Sequence, residues 1–183
     1  MNFKYSVNFS AVKLAMITLF AMLCIHGSAV FAQNSSSVNC ETDNAALQAM
    51  PNIEVTLSRT DGSSYSFGAK LANNLRTRAA GFQRVCASTI AATPILFEFQ
   101  REQTPSFHMN NVVAPLDIAF IDKQGDIDSI QLMKVYSILQ VTKPLYSSKG
   151  PVLYALEAHP GFFEKHDISL TSTMTWAAKD LDN

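Results

Sequence analysis

The segment SFHMNNVVAPLDIAFID (residues 106–122) decides how the chain is interpreted, because it combines a β-strand pattern with polar side chains. Its second half, LDIAFID, is a run of β-branched and aromatic residues typical of a buried strand. The asparagine pair before VVAP favours a sharp bend, since asparagine tolerates the left-handed backbone region. The polar residues of the segment can be interpreted in two ways: they hydrogen-bond to backbone groups of the bend, or they form part of a site. These residues are His108, Asn110, Asn111 and Asp117.

Strand-like alternation of apolar and polar residues continues on both sides of this segment. Asp61-Gly62 lies between IEVTL and SYSFG, which predicts a β-hairpin. PILFEFQ, IDSIQLM, PVLYALEA and SLTSTMTWA are further strand candidates, and KQGD predicts a turn. NNLRTRAAGFQRV predicts a helix with Asn73 or Asn74 as its cap. The pattern therefore predicts a mostly β (β-rich α+β) fold: one compact barrel-like or sandwich-like domain with one or two short helices.

Residues 1–32 have the pattern of an export signal. Two lysines precede the apolar run LAMITLFAMLCI, which is too short to span a bilayer comfortably and leads to the small-residue site AVFA. We predict a signal peptide cleaved after Ala32, which would place the protein in the periplasm or outside the cell. A retained N-terminal anchor helix is the alternative. A polar leader (33–51) and a β-rich domain (52–178) would follow.

Charge and cysteine content restrict the function classes further. Without the signal peptide the chain keeps 12 basic and 15 acidic residues. This balance indicates no nucleic-acid surface, and no second apolar segment approaches membrane-spanning length. Cys40 and Cys86 remain as an even pair, which favours a disulfide over a reactive Cys86 in an oxidising compartment. Closing that loop contributes on the order of 4 kcal/mol in the chain-entropy model.

Several segments, taken in order, resemble the family called domain of unknown function 192 (DUF192). They are RTRAAGFQR, PILFEF, FHMNNVVAPLDIAFID, GDIDSI, YSS and GPVLYALEAHPGFFEKHDI, and together they cover roughly residues 53–176. The most specific part is the phrase around PLDIAFID, followed about thirty residues later by LYALEAHPGF. The resemblance implies a compact β-barrel-like domain that is common in exported bacterial proteins. It implies no reaction.

The match to the family pattern is uneven within the opening segment. Six residues match the pattern: Asn111, Pro115, Leu116, Asp117, Glu157 and Gly161. Relatives usually show Phe-Trp-Met-Lys-Asn where this chain has FHMNN, so His108 and Asn110 stand in place of a tryptophan and a lysine. Specificity peculiar to this protein is therefore expected first at His108 and Asn110.

Asp117 and Glu157 are the carboxylates that most invite a functional interpretation. Each lies in a run of apolar residues, where an ionised group is costly unless it is paired or hydrogen-bonded. In one hypothesis they act with His108 as the acid and base of a hydrolase-type enzyme. The structural interpretations are favoured: Asp117 accepts backbone N–H groups of the NNVVAP bend, and Glu157 pairs with an arginine such as Arg78 or Arg84.

Other chemistry has little support in the sequence. DKQGDID places its glycine too early for an EF-hand calcium loop, and no Gly-x-Ser-x-Gly run exists. His159 and His166 do not have a zinc-ligand spacing. We therefore expect neither a metal nor a cofactor.

The favoured hypothesis is an exported, non-catalytic module that binds a small ligand or an envelope partner. The candidate ligand-binding residues are His108, Asn110, Asn111, Asp117 and Glu157. The hydrolase-type enzyme is the alternative, as is a purely structural accessory domain.

Overall fold

The fold is described by a computed structural model over residues 39–42, 44–137 and 139–179, so the predicted signal peptide lies outside the described residues. Nine strands are present: β1 (Asn52–Ser58), β2 (Ser64–Ala72), β3 (Ile95–Gln103), β4 (Ser106–Phe107), β5 (Leu116–Ile121), β6 (Ile127–Met133), β7 (Tyr146–Ser147), β8 (Val152–Ala158) and β9 (Thr173–Ala178). Four helices accompany them: α1 (Ala45–Gln48), α2 (Leu75–Ala80), α3 (Ala87–Ala92) and α4 (Phe162–Lys165). The mostly β prediction is confirmed, with four short helices in these ranges instead of one or two. None of these helices is long and apolar enough to cross a membrane.

Seven strands form one mixed sheet in the order β6-β5-β8-β3-β2-β1-β9, and β4 pairs with β7 in a separate ribbon. The β2–β3 pair is parallel. The edge strands approach each other at one point, where the Met174 N–H donates to the Gly125 carbonyl at 2.8 Å and Asp126 forms an isolated bridge with Thr173. A closed barrel needs a continuous ladder between all neighbouring strands. The sheet is therefore curled but open, which corrects the barrel-like expectation.

Local turn and cap signals produce the elements that the sequence predicted for them. Asp61 accepts a hydrogen bond from the Ser63 N–H at 2.8 Å and closes the β1–β2 hairpin, so that prediction is confirmed. Asn74 caps α2 in a capping box with Thr77. The helix ends at Gly81, whose φ of +45° lies in the region that favours glycine.

The central strands β5 and β8 are buried on both faces of the sheet, and neighbouring residues of β8 show the division between the faces. Ala155 belongs to the core on the face that α1, α3 and the loops after α2 and β4 cover. Leu156 belongs to the core on the face that α4 covers. Because side chains alternate along a strand, Glu157 shares the face of Ala155.

The end of the predicted polar leader packs against this first face. The predicted disulfide between Cys40 and Cys86 is present, with a Cα–Cα distance of 4.8 Å. The Glu41 N–H donates to the carbonyl of Arg84 at 2.7 Å. Leu47 in α1 is buried in the core, as is the nearby Met50. The disulfide therefore holds a segment that contributes to the core.

Candidate functional site

A cavity of about 410 Å³ lies beside β3, β8 and the end of α2. It adjoins an interruption in the sheet, because the β3–β8 pairing loses its register between Glu98 and Gln103. Its apolar wall is formed by four phenylalanines, Phe82, Phe97, Phe99 and Phe107. Its polar lining comprises Arg78, Gln83, Gln103, Ser106, His108 and Glu157. The combination of an aromatic wall with a few polar groups is typical of small-molecule sites.

The aromatic wall is held by edge-to-face packing. The rings of Phe97 and Phe107 are perpendicular, with centroids 5.0 Å apart, and Phe107 also packs against Phe120 at 5.7 Å. These contacts join β3, the β4 ribbon and β5. Edge-to-face pairs of this kind add stability beyond the area that they bury. The cavity is therefore bordered by rings in fixed orientations.

Gly81 allows the end of α2 to approach the bottom of the cavity. A Cβ atom at this position would lie 3.4 Å from Cζ of Phe97 and 3.9 Å from Oε2 of Glu157. These distances are ordinary van der Waals contacts, so glycine is needed here for the positive φ that ends the helix.

Glu157 is the buried acid of the cavity. It lies on β8 between β3 and β5, where its register partners are Ile95 and Ile118. Its side chain is 4% exposed, and Oε2 has no hydrogen-bond partner within the described ranges. Desolvation raises the pKa of Glu157 to about 8. Near neutral pH the carboxyl of the unliganded protein therefore keeps its proton.

The arginine partner expected for Glu157 is not found. Arg78 also lines the cavity, but its Nη1 donates to the backbone carbonyl of Glu98 at 3.0 Å. In the described part of the chain the one ion pair within 4.0 Å joins Lys123 to Glu102. Arg78 and Glu157 therefore line one cavity without forming an ion pair.

His108 is the second of the sequence-predicted residues at the cavity. It is exposed and lines the cavity together with Phe107. Both side chains can do so because β4 ends at Phe107, so the alternation of an extended strand does not continue to His108. Its Nδ1 is 3.4 Å from the N–H of Asn110.

The two asparagines lie in the bend outside the cavity lining. Asn111 has a φ of +58°, its carbonyl accepts from the Arg84 N–H at 2.7 Å, and its Nδ2 donates to Gln83 at 3.1 Å. Asn110 accepts a hydrogen bond from Lys143 at 3.2 Å. The sharp bend interpreted from the sequence is present, and its asparagines connect it to neighbouring loops.

Asp117 lies on the other face of the sheet. Its Oδ2 accepts a 2.7 Å hydrogen bond from the N–H of Gly161, just before α4. The sequence predicted that Asp117 would accept hydrogen bonds from the NNVVAP bend, and this prediction is wrong. The β5–β8 pairing places Asp117 opposite Ala158, next to the loop that follows β8. Desolvation raises the pKa of Asp117, and backbone hydrogen bonds from Gly161 and Phe162 oppose that rise.

The two candidate carboxylates therefore do not meet. Directly opposite residues of an antiparallel pair share a face, and Glu157 is opposite Ile118, the neighbour of Asp117. Asp117 consequently points away from the cavity in which Glu157 lies. This geometry provides no acid–base pair of Asp117 and Glu157. Nor do the described residues contain a cluster of three or more His, Cys, Asp or Glu side chains that could hold a metal ion.

The fold and the cavity together define a small β-rich domain in which Glu157 has a buried carboxyl oxygen, without a hydrogen-bond partner among the described residues, beside an aromatic wall. The chain belongs to the DUF192 family, whose model, described as an uncharacterized ACR, matches residues 56–176. A search of curated proteins found no match.

Two solved structures share the fold. A suggested transcription regulator from Sinorhizobium meliloti 1021 is 24% identical with a TM-score of 0.61, covering 71% of this chain and 97% of its own. A protein of unknown function from Novosphingobium aromaticivorans DSM 12444 is 23% identical with a TM-score of 0.58, and the match covers 74% of this chain and 99% of that protein's chain. At this level of identity the likeness shows the fold alone.

Proposed function

We propose that this domain is a non-catalytic binding module that holds a small ligand in the aromatic cavity. The observation that carries the proposal is the buried Oε2 of Glu157, which has no hydrogen-bond partner in the described chain. A buried polar atom without a partner costs about 1–3 kcal/mol. A ligand that forms a hydrogen bond with this atom recovers that cost, which contributes to the free energy of binding.

The composition of the cavity supports the same proposal. Its volume of about 410 Å³ falls in the range of sites that enclose small molecules, and its wall is mainly phenylalanine. In this proposal His108 and Glu157 contact the ligand. Asn110, Asn111 and Asp117 keep the bend and the start of α4 in position. A purely structural accessory domain has no need of such a cavity.

We further propose that the module acts outside the cytoplasm. Residues 1–32 would direct export and be removed near Ala32, and residues 33–51 would lead into the domain at 52–178. The disulfide between Cys40 and Cys86 supports this proposal, because such bridges persist mainly in oxidising compartments. The ligand would then be a small molecule of the envelope or the medium.

A fragment screen followed by amide NMR spectra tests the proposal. Two variants on α2 provide the comparison: Ala79→Trp, at a residue that lines the cavity, and Arg76→Trp, at an exposed residue that does not. We expect fragments to shift the amide signals of Gly81 and Phe107 in the wild type and in Arg76→Trp, and to lose this effect in Ala79→Trp. A screen that yields no fragment at these residues would exclude the cavity as a binding site.

A further inference from the structure

The chemical class of the ligand follows from what the cavity lacks. Oε2 of Glu157 has no hydrogen-bond partner in the described protein. When the carboxyl gives up its proton, both of its oxygens are acceptors, and a ligand can then supply the missing donor. An ammonium group brings three N–H donors together with a positive charge, whereas a carboxylate brings none. Hydrogen bonds between a charged donor and a carboxylate are also the stronger kind.

The aromatic wall suits a ligand whose ammonium is attached to an apolar body. Phe97 and Phe107 line the same cavity as Glu157. The Gly81 backbone shows how near these groups are, because a Cβ there would lie 3.4 Å from Cζ of Phe97 and 3.9 Å from Oε2 of Glu157. An apolar body attached to an ammonium at Glu157 can therefore pack against these rings.

Arg78 sets a second requirement for the ligand, at a part of the cavity separate from Glu157. Its guanidinium lines the cavity and makes no ion pair with Glu157, and only one of its nitrogens is shown to be engaged, by the Glu98 carbonyl. A ligand with an ammonium alone would bring a second positive charge into a cavity that already contains Arg78. An acidic group on the ligand removes this repulsion and matches the planar donor geometry of arginine.

We infer that the cavity binds an amino-acid-like zwitterion, with its ammonium at the Glu157 carboxylate, its apolar side chain between the phenylalanine rings, and its acidic group at Arg78. This inference rests on the proposed function and specifies its ligand. A volume of about 410 Å³ suits one compact molecule of this kind.

Binding of an ammonium is coupled to release of a proton. Because burial raises the pKa of Glu157 to about 8, the unliganded site is protonated at pH 6 and half-ionised at pH 8. If only the carboxylate form binds the ammonium, the affinity for an amine rises about 50-fold between these pH values. The other titratable side chains at the cavity are Arg78 and His108. The residues that face Glu157 from β3 and β5, Ile95 and Ile118, carry no charge.

Three matched probes test the inference on the mature protein: L-phenylalanine, phenethylamine, which lacks the carboxylate, and hydrocinnamate, which lacks the amine. Their dissociation constants would be measured by calorimetry or NMR titration for the wild type, Glu157→Gln and Arg78→Met. In the wild type we expect L-phenylalanine to bind most tightly. Glu157→Gln should weaken the binding of phenethylamine at least about 10-fold and that of hydrocinnamate less than about 3-fold. Arg78→Met should weaken the binding of hydrocinnamate more than that of phenethylamine.

The pH dependence of phenethylamine binding provides a second test of the inference. Phenethylamine should bind about 50-fold more tightly at pH 8 than at pH 6, and this gain should be absent in Glu157→Gln. Hydrocinnamate at both pH values controls for effects of pH that do not involve the amine. Binding of hydrocinnamate by Glu157→Gln also shows that the variant keeps its fold.

Two outcomes would overturn the inference. Hydrocinnamate that binds as well as L-phenylalanine, or amine affinity that Glu157→Gln leaves unchanged, would show a cavity that selects another chemistry, while the binding function itself would stand. Failure of all three probes at about 10 mM would also reject the zwitterion. The proposed function would be excluded only if the fragment screen also found no fragment that binds in the cavity.

Discussion

Replacing Glu157 with glutamine should change how the stability of the protein depends on pH. Glutamine keeps the shape of the side chain and removes its titration. In the wild type, desolvation raises the folded-state pKa to about 8, from an ordinary value of 4.5. The folded protein therefore binds this proton more tightly than the unfolded chain. The corresponding stabilisation is fully present below pH 4.5 and is lost as the pH rises through 8.

The size of the effect follows from these two pKa values. Each pKa unit corresponds to about 1.4 kcal/mol, so the complete titration of Glu157 is worth on the order of 5 kcal/mol. Between pH 5 and pH 8 the free energy of unfolding of the wild type should fall by about 3.5 kcal/mol relative to that of Glu157→Gln. Glu54→Gln provides the control, because Glu54 is an exposed carboxylate on β1.

Urea unfolding followed by the fluorescence of Trp176, the single tryptophan of the chain, measures this difference. Wild type, Glu157→Gln and Glu54→Gln would be compared at pH 5, 6, 7 and 8, with the disulfide intact. We expect the wild type and Glu54→Gln to lose stability in parallel, and Glu157→Gln to follow a flatter curve. Three parallel curves would mean that Glu157 does not carry its proton at neutral pH, and the reasoning from burial would be refuted.

Further predictions concern the framework around the cavity. Gly125→Ala should lower the free energy of unfolding by at least about 2 kcal/mol, because a Cβ would clash with the carbonyl oxygen of Met174 on β9 at a φ of +92°. Gly68→Ala is the control, since its Cβ would meet no atom within 4 Å, and chemical denaturation measures both. Replacing both disulfide cysteines with alanine should cost about 4 kcal/mol, and equal melting temperatures would contradict this. Asp117→Ala should cost about 1–3 kcal/mol by leaving the Gly161 N–H unpaired, without changing ligand affinity; weakened binding in titrations would argue for a role at the cavity.

Local signals in the sequence were sufficient for several elements of the fold. Asp61 and Gly62 specify the first hairpin through hydrogen bonds within the turn, and Asn74 specifies the start of α2 through its capping box. The extent of sheet closure depends on how residues far apart in sequence meet, such as Gly125 and Met174. No local pattern contains that information, so the sequence left a barrel-like and a sandwich-like domain as alternatives and did not predict that the sheet remains open.

The candidate site was predictable only in part, for the same reason. A carboxylate in the apolar run of β8 identified Glu157 as unusual, but its distance from Asp117 depends on the register between β5 and β8. Arg78 was expected only as an ion-pair partner of Glu157, and Phe97 and Phe107 gave no signal of a shared site, since these residues converge only through the packing of α2, β3 and β4. An arginine in a short helix and phenylalanines in strands are ordinary residues until the tertiary structure brings them together.

The most direct test of a ligand-binding Glu157 is an NMR titration of its isotope-labelled side-chain carboxyl, with and without saturating phenethylamine. Glu157→Gln identifies the signal by its absence. The account predicts a midpoint near pH 8 in the free protein and a clear decrease when the amine is bound. A midpoint near 4.5 that the amine leaves unchanged would contradict it.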